Sequence, residues 1–317
     1  MRLTSISTRM IESSIKDYSF YLTASAYNFS WYFNGSKLLL ILDYDAPIVS
    51  LIEEAAPRKF KATICSKSNV TINSRYFELI EDILGVNEDL SEFYKIWQKD
   101  KLLSASLVHL RGFRVRRVSP WLGLLIGVCQ QNASFKQGWT MLASLYRKLG
   151  MKIHVNDWGP TLIPPSPNKI LETSYETLKA CKLGYRAETI IRIAEKMRNS
   201  DLSYYAKYSE EDFVKIKGVG PYTARLALVL SAKKYELAPV DRWLKKIICE
   251  VYGVSERDAE REWIRRWSRW GGLAAIITTL ALDAEPLTSA LRRIRVKHLI
   301  PTTANGKMTP LTLWKYF

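Results

Sequence analysis

The spacing of apolar positions changes character near residue 90. Upstream, short runs of aromatic and β-branched residues at 20–22, 31–33, 38–42, 60–65 and 70–72 read as strands. Asn34-Gly35, between the second and third runs, is the dipeptide of a tight hairpin. Residues 77–84 already switch to helical spacing. Downstream the pattern predicts helix almost throughout, over 89–98, 102–110, 120–129, 134–149, 175–182, 186–198, 210–216, 222–232, 241–252, 256–268 and 271–283. Within the span 241–252, Leu244, Ile247, Ile248 and Val251 fall at i, i+3, i+4 and i+7, a single core-facing stripe. The class that follows is α+β: an N-terminal antiparallel β-sheet domain over 1–89, then a mostly helical remainder.

Two features within the helical part carry chemistry. The stretch Val214-Lys215-Ile216-Lys217-Gly218-Val219-Gly220-Pro221-Tyr222-Thr223-Ala224-Arg225 joins a short helix to a second one. The short helix opens on Ser209 with Asp212 three residues on, a capping-box-like start. Gly218 and Gly220 let the backbone approach a partner without Cβ hindrance, and Pro221 suits a first helical turn, where its missing N–H costs nothing. The unpaired N–H groups and the dipole of that helix start suit a phosphate. Further on, Pro239-Val240-Asp241 places a carboxylate at the start of a third helix. Alone, Asp241 reads as an N-cap and Lys217-Gly218-Val219-Gly220 as an ordinary turn. Together they read as a device for holding a nucleic-acid backbone beside one carboxylate.

Charge sharpens this. Lys plus Arg is 47 against 31 for Asp plus Glu, a net +16 over 317 residues. Such a balance favours polyanionic partners, although a thermophile's lysine-rich surface would produce it too. The longest apolar runs, 120–129 and 273–282, are too short to span a bilayer, so no membrane partner is expected. The first residues lack the apolar core of a secretory signal, and an intracellular protein is expected. Cys65, Cys129, Cys181 and Cys249 lie far apart, so neither a metal nor an iron–sulfur cluster is expected.

Joined at this spacing, the hairpin and Asp241 resemble the helix-hairpin-helix, Gly/Pro–Asp (HhH-GPD) pattern of base-excision DNA glycosylases. Leu183-Gly184-Tyr185-Arg186-Ala187 resembles the loop-to-helix segment shared by 8-oxoguanine glycosylases and AlkA-type 3-methyladenine glycosylases. Gln130-Gln131-Asn132 is similar to the segment from which these enzymes insert a side chain into the duplex. Residues 77–86 leading into 89–94 resemble the AlkA-type junction between sheet domain and helical core. The resemblance implies a two-lobed core, one lobe over 119–252 carrying the hairpin and the other built from 90–118 and 253–317. It implies double-stranded DNA with a damaged base as partner, a monomer, and no organic cofactor. Asp241 would stabilise the positive charge that develops on the sugar and orient water, with Tyr222 beside it. Lys217, Gly218, Val219, Gly220 and Thr223 would grip phosphate. Gln131, Asn132 and Tyr185 would wedge and fill the gap, with Arg186 towards the opposite strand. Backbone carbonyls of Val214, Ile216 and Val219 would hold a monovalent cation, Na⁺ or K⁺.

The chain departs from part of that family. Bifunctional members carry a lysine where this sequence has Tyr222, and a phenol cannot form the imine that an amine forms. A monofunctional enzyme is expected, with Lys215 and Lys217 facing phosphate. The apolar run 124–129 and the absence of cysteine after Cys249 argue against the branches that use a glutamate or an iron–sulfur loop there. An alkylated purine is the expected substrate, held by cation–π contact, with Trp121, Trp139, Tyr222 and Trp243 as pocket candidates. 8-Oxoguanine, hypoxanthine, uracil and mismatched thymine stay open, as does a non-catalytic DNA-binding protein.

Overall fold

The computed structural model describes residues 1–44, 47–67 and 71–317. Six strands, β1 (Arg2–Glu12), β2 (Lys37–Asp43), β3 (Ile48–Ala56), β4 (Lys59–Ser66), β5 (Met151–Val155) and β6 (Gly159–Ile163), form one sheet in the order β2-β3-β4-β1-β5-β6. The helices before the hairpin are α1 (Phe20–Ser25), α2 (Ser74–Leu84), α3 (Ser91–Trp97), α4 (Leu107–Leu110), α5 (Pro120–Gln130), α6 (Phe135–Leu149), α7 (Pro167–Leu171), α8 (Tyr175–Lys179) and α9 (Arg186–Met197). Then come α10 (Glu210–Val214), α11 (Pro221–Ala232), α12 (Arg242–Tyr252), α13 (Ala259–Trp267), α14 (Gly271–Ala281) and α15 (Leu287–Arg295). The class is α+β, as expected, and no helix among the described residues is long and apolar enough to cross a membrane.

The sheet differs from the expected one. Residues 20–22 are helical, because Ser19 caps α1 through its side chain, which accepts from Leu22 N at 3.3 Å. Residues 31–33 make only one bridge, Phe33 to Leu38, across a turn held by Asn34 Oδ1, with Gly35 at φ 101°. Val70 lies outside the described residues, and Thr71 and Ile72 are in no strand. The sheet is mixed rather than purely antiparallel: Arg2 and Leu3 pair in parallel with His154 and Val155 of a hairpin from the helical region. Strand β1 escaped detection because only Leu3 and Ile11 of its side chains are buried. That leaves no alternation to read.

Two helical cores sit beside the sheet. In the first, α5 packs against α6, α9 and α11, burying Leu124, Leu125 and Val128. Glycine makes its closest crossing feasible: a Cβ at Gly123 would lie 2.9 Å from the Ala227 carbonyl oxygen, and one at Gly127 would lie 2.9 Å from Thr223 Cγ2. That close approach brings the C-terminus of α5 to the start of α11. The second core gathers Phe93, Trp97, Trp263, Trp267 and Trp270 around α14. At the end of the chain Leu313 returns to the first core, and Trp314 packs edge-on against Phe33 at 5.0 Å.

Candidate active site

The hairpin between α10 and α11 is built by local rules. Ser209 and Asp212 cap α10 reciprocally, each side chain accepting the other's backbone N–H. Phe213, Ile216 and Val219 are buried and anchor the turn, which Val219 N closes by donating to Ile216 O at 2.9 Å. Gly218 sits at φ 97°, and a Cβ there would run into Thr189. Gly220 caps α11 with open space where its Cβ would be. Lys217, Gly218 and Gly220 are exposed, and the N–H groups of Gly218, Gly220 and Tyr222 donate to nothing among the described residues. Positive helix-end dipole and free donors thus point outward at one exposed corner. Of the three carbonyls expected to hold a cation, that of Ile216 already accepts Val219 N, while those of Val214 and Val219 accept no bond there.

Asp241 caps α12, its Oδ1 accepting from Leu244 N at 2.7 Å. Burial pushes its pKa above the ordinary carboxylate value, against the pull of the backbone N–H groups that solvate it. Tyr222, on the first turn of α11, is held as a neutral phenol by burial, then by the Asp241 charge beside it and by Tyr27. The carboxylate is therefore both a helix cap and a half-buried charge at Tyr222.

The expected wedge residues come together on the far side of the hairpin. Gln131 Nε2 donates to Gly218 O at 3.0 Å and to Thr223 Oγ1 at 2.8 Å, tying the end of α5 to the turn. The Thr223 side chain is buried, so only its backbone N–H remains for a phosphate. Asn132, at φ 44°, donates to the Tyr185 hydroxyl at 3.3 Å. Tyr185 is 56% exposed. Arg186 is buried, spans to the Gln131 carbonyl, and lies under the Tyr185 ring with its guanidinium carbon 4.6 Å from the centroid. It thus acts here as a brace beneath Tyr185, whose ring is what projects.

Beside Tyr222 opens a cavity of about 180 Å³. That is on the scale of the ~150 Å³ void known to hold one benzene ring. Tyr27 stacks on Trp139 at 5.9 Å, and Phe135 packs on Trp139 at 6.0 Å, so aromatic faces form much of its wall. Trp139 and Tyr222 line it, as expected. Trp121 instead bonds the Pro165 carbonyl in the core, and Trp243 bonds the Glu285 carbonyl away from the cavity.

Residues 126–271 match the family model of the HhH-GPD superfamily of base excision DNA repair proteins. This region of the chain is thus of the HhH-GPD type. It is 27% identical to the "Probable N-glycosylase/DNA lyase" of Methanothermobacter thermautotrophicus, over 55% of this chain and 64% of that one. It is 25% identical to the "DNA-3-methyladenine glycosylase" of Bacillus subtilis, over 51% and 56%. The match thus spans less than two thirds of either relative's length. A solved 3-methyladenine DNA glycosylase from Archaeoglobus fulgidus superposes with a TM-score of 0.69 at 18% identity, covering 90% of this chain and 98% of that one, which establishes a shared fold.

Among the cavity residues that the sequence left unflagged are Tyr27, Phe135 and Arg116. Tyr27 and Phe135 looked like ordinary packing residues. Arg116 is one of four arginines in the link 111–117, and nothing in its neighbours singled it out. Its signal is tertiary: an arginine lining a cavity with no carboxylate partner among the described residues.

Proposed function

We propose that the protein is a monofunctional DNA glycosylase that hydrolyses the N-glycosidic bond of a base flipped out of duplex DNA. The observation that carries the reading is the sharing of one helix by two tasks. The start of α11 offers free N–H groups to a phosphate, and its Tyr222 stands between Asp241 and an aromatic cavity sized for a ring. A base must leave the stack to be reached, and a cavity of this kind receives it while Tyr185 and Asn132 face the gap.

In the proposed reaction the bond from C1′ to the base nitrogen breaks with its electron pair going to the base. Positive charge develops on the sugar, as in glycoside hydrolysis. Ionised Asp241 stabilises that charge and takes the proton of the water whose oxygen bonds to C1′. Its raised pKa makes it a better proton acceptor than an ordinary aspartate. Tyr222 stands where bifunctional members have lysine, and as a neutral phenol it has no amine to form an imine, so an intact strand with an abasic site is the product. A monovalent cation bound by the carbonyls of Val214, Ile216 and Val219 would add positive charge at the phosphate contact. The chain is proposed to work as a monomer.

Tyr27, Phe135 and Trp139 supply the aromatic faces that an alkylated purine calls for, but they share the cavity with Arg116, a cation such a base would meet. The reading is tested by incubating the protein with single-lesion duplexes and then with hot alkali. Strand breaks that appear only after alkali support it; no break with any lesion, despite tight binding to DNA, would leave a binding protein instead.

A further inference from the structure

The cavity beside Tyr222 contains a charge that its aromatic walls do not require. Arg116 is fixed by two backbone carbonyls: Nε donates to Thr23 O at 2.7 Å and Nη2 to Ala26 O at 2.6 Å. Its neighbours Arg114 and Arg117 are partnered by Asp17 and Asp82, whereas Arg116 has no carboxylate partner among the described residues. Its Nη1 donates to no acceptor there. Burial pulls its pKa down to about 10, which leaves it a cation at neutral pH. Gln130, also lining the cavity, has a buried Nε2 with no partner, and Trp139 Nε1 likewise donates to nothing among the described residues. The free polar groups of this cage thus include several donors, and one of them, the Arg116 guanidinium, is charged.

We propose that Arg116 sets the specificity of this cavity, admitting neutral bases that carry carbonyl oxygens and turning away purines made cationic by alkylation. The proposal rests on the glycosylase reading above. Three physical effects act in the same direction. A cationic base ring about 5 Å from the guanidinium, at an effective dielectric of ~20, is repelled enough to lower its occupancy roughly 10²-fold. A guanidinium N–H facing the cavity is paired by a neutral base's carbonyl oxygen, whereas the oxygen of a ring made cationic by alkylation is a poorer acceptor. Finally, a neutral nucleoside releases its base with the electron pair of the broken bond, as an anion, and a fixed guanidinium stabilises the charge as it forms. A cationic alkylated purine leaves as a neutral molecule and gains nothing from that.

The test compares single-turnover release of hypoxanthine, uracil, 8-oxoguanine and 7-methylguanine from otherwise identical duplexes. Relative to spontaneous loss of each base from free DNA, wild type is expected to accelerate release of at least one neutral base on the order of 10²-fold more than release of 7-methylguanine. Arg116→Met keeps the stem and removes the charge, and should shift the ratio towards 7-methylguanine by tenfold or more. Arg116→Lys keeps the charge and should preserve the wild-type order, which covers the case in which the methionine variant does not fold. Wild type accelerating release of 7-methylguanine, relative to its spontaneous loss, as much as that of any neutral base overturns the proposal while sparing the glycosylase reading. So does a methionine variant slowed equally on every lesion. Release of none of the four above the background of Asp241→Asn would sink the glycosylase reading itself.

Discussion

Asparagine at position 241 would remove one charge and almost nothing else. Its carboxamide oxygen can still accept the Leu244 N–H that Asp241 Oδ1 accepts at 2.7 Å, and asparagine caps helices as well as aspartate. What disappears is the attraction between carboxylate and developing oxocarbenium charge. At about 4 Å and an effective dielectric of ~20 that attraction is worth about 4 kcal/mol, or roughly 10³ in rate. Stability should move the other way. The folded-state pKa of Asp241 lies above the unfolded value, so its contribution favours the native state at low pH and is lost as pH rises through the folded pKa. At neutral pH the ionised side chain is a cost, and Asp241→Asn should melt at the same temperature as wild type or slightly higher. Single-turnover base release, duplex affinity and thermal melting, measured side by side, give the answer. Turnover should fall about 10³-fold with affinity kept, and the acid limb of the wild-type rate profile should lie above the ordinary aspartate range. A variant that keeps a tenth or more of the wild-type rate, or that loses rate only as it loses folded protein, would refute the role given to this side chain.

Other outcomes follow from the same geometry. Gly218→Ala puts a β-carbon into Thr189 at φ 97°, and should destabilise by about 1–2 kcal/mol and weaken binding to undamaged duplex as well as damaged, measured by melting and by titration. Borohydride should trap no covalent adduct between wild type and damaged DNA, whereas Tyr222→Lys, which places an amine beside Asp241, should yield one on a denaturing gel. Asp283→Asn keeps a side chain tolerant of φ 57° but removes the carboxylate 2.9 Å from buried Arg293 Nη1, leaving it Glu285 at 3.6 Å; chemical denaturation should show a loss of about 1–2 kcal/mol with base release per folded molecule unchanged.

The hairpin and the carboxylate were legible in the sequence because each is made by contiguous residues under local constraint. Ser209 and Asp212 cap a helix three residues apart, Gly218 supplies a left-handed φ, Pro221 starts α11, and Asp241 caps α12. Those demands fall on the backbone itself, so residue type and spacing express them directly. The helical core was legible for a similar reason, since a stripe such as Leu244, Ile247, Ile248 and Val251 needs no distant partner to declare its face. Strands β1 and β5 were not, for they pair across some 150 positions of chain, and most β1 side chains face solvent. Residues 20–22 show the opposite error, where strand-forming side chains yield to a single serine cap. The cavity was least legible of all. Tyr27, Arg116 and Trp139 meet only because α1, the 111–118 link and α6 converge on α11, and that Arg116 pairs with backbone carbonyls and with no carboxylate among the described residues is a property of what lies near it in space. Local chemistry along the chain determined the exposed donors of the hairpin and where a carboxylate stands; which side chains meet in the cavity was decided by long-range packing, because their contacts act through space rather than along the backbone.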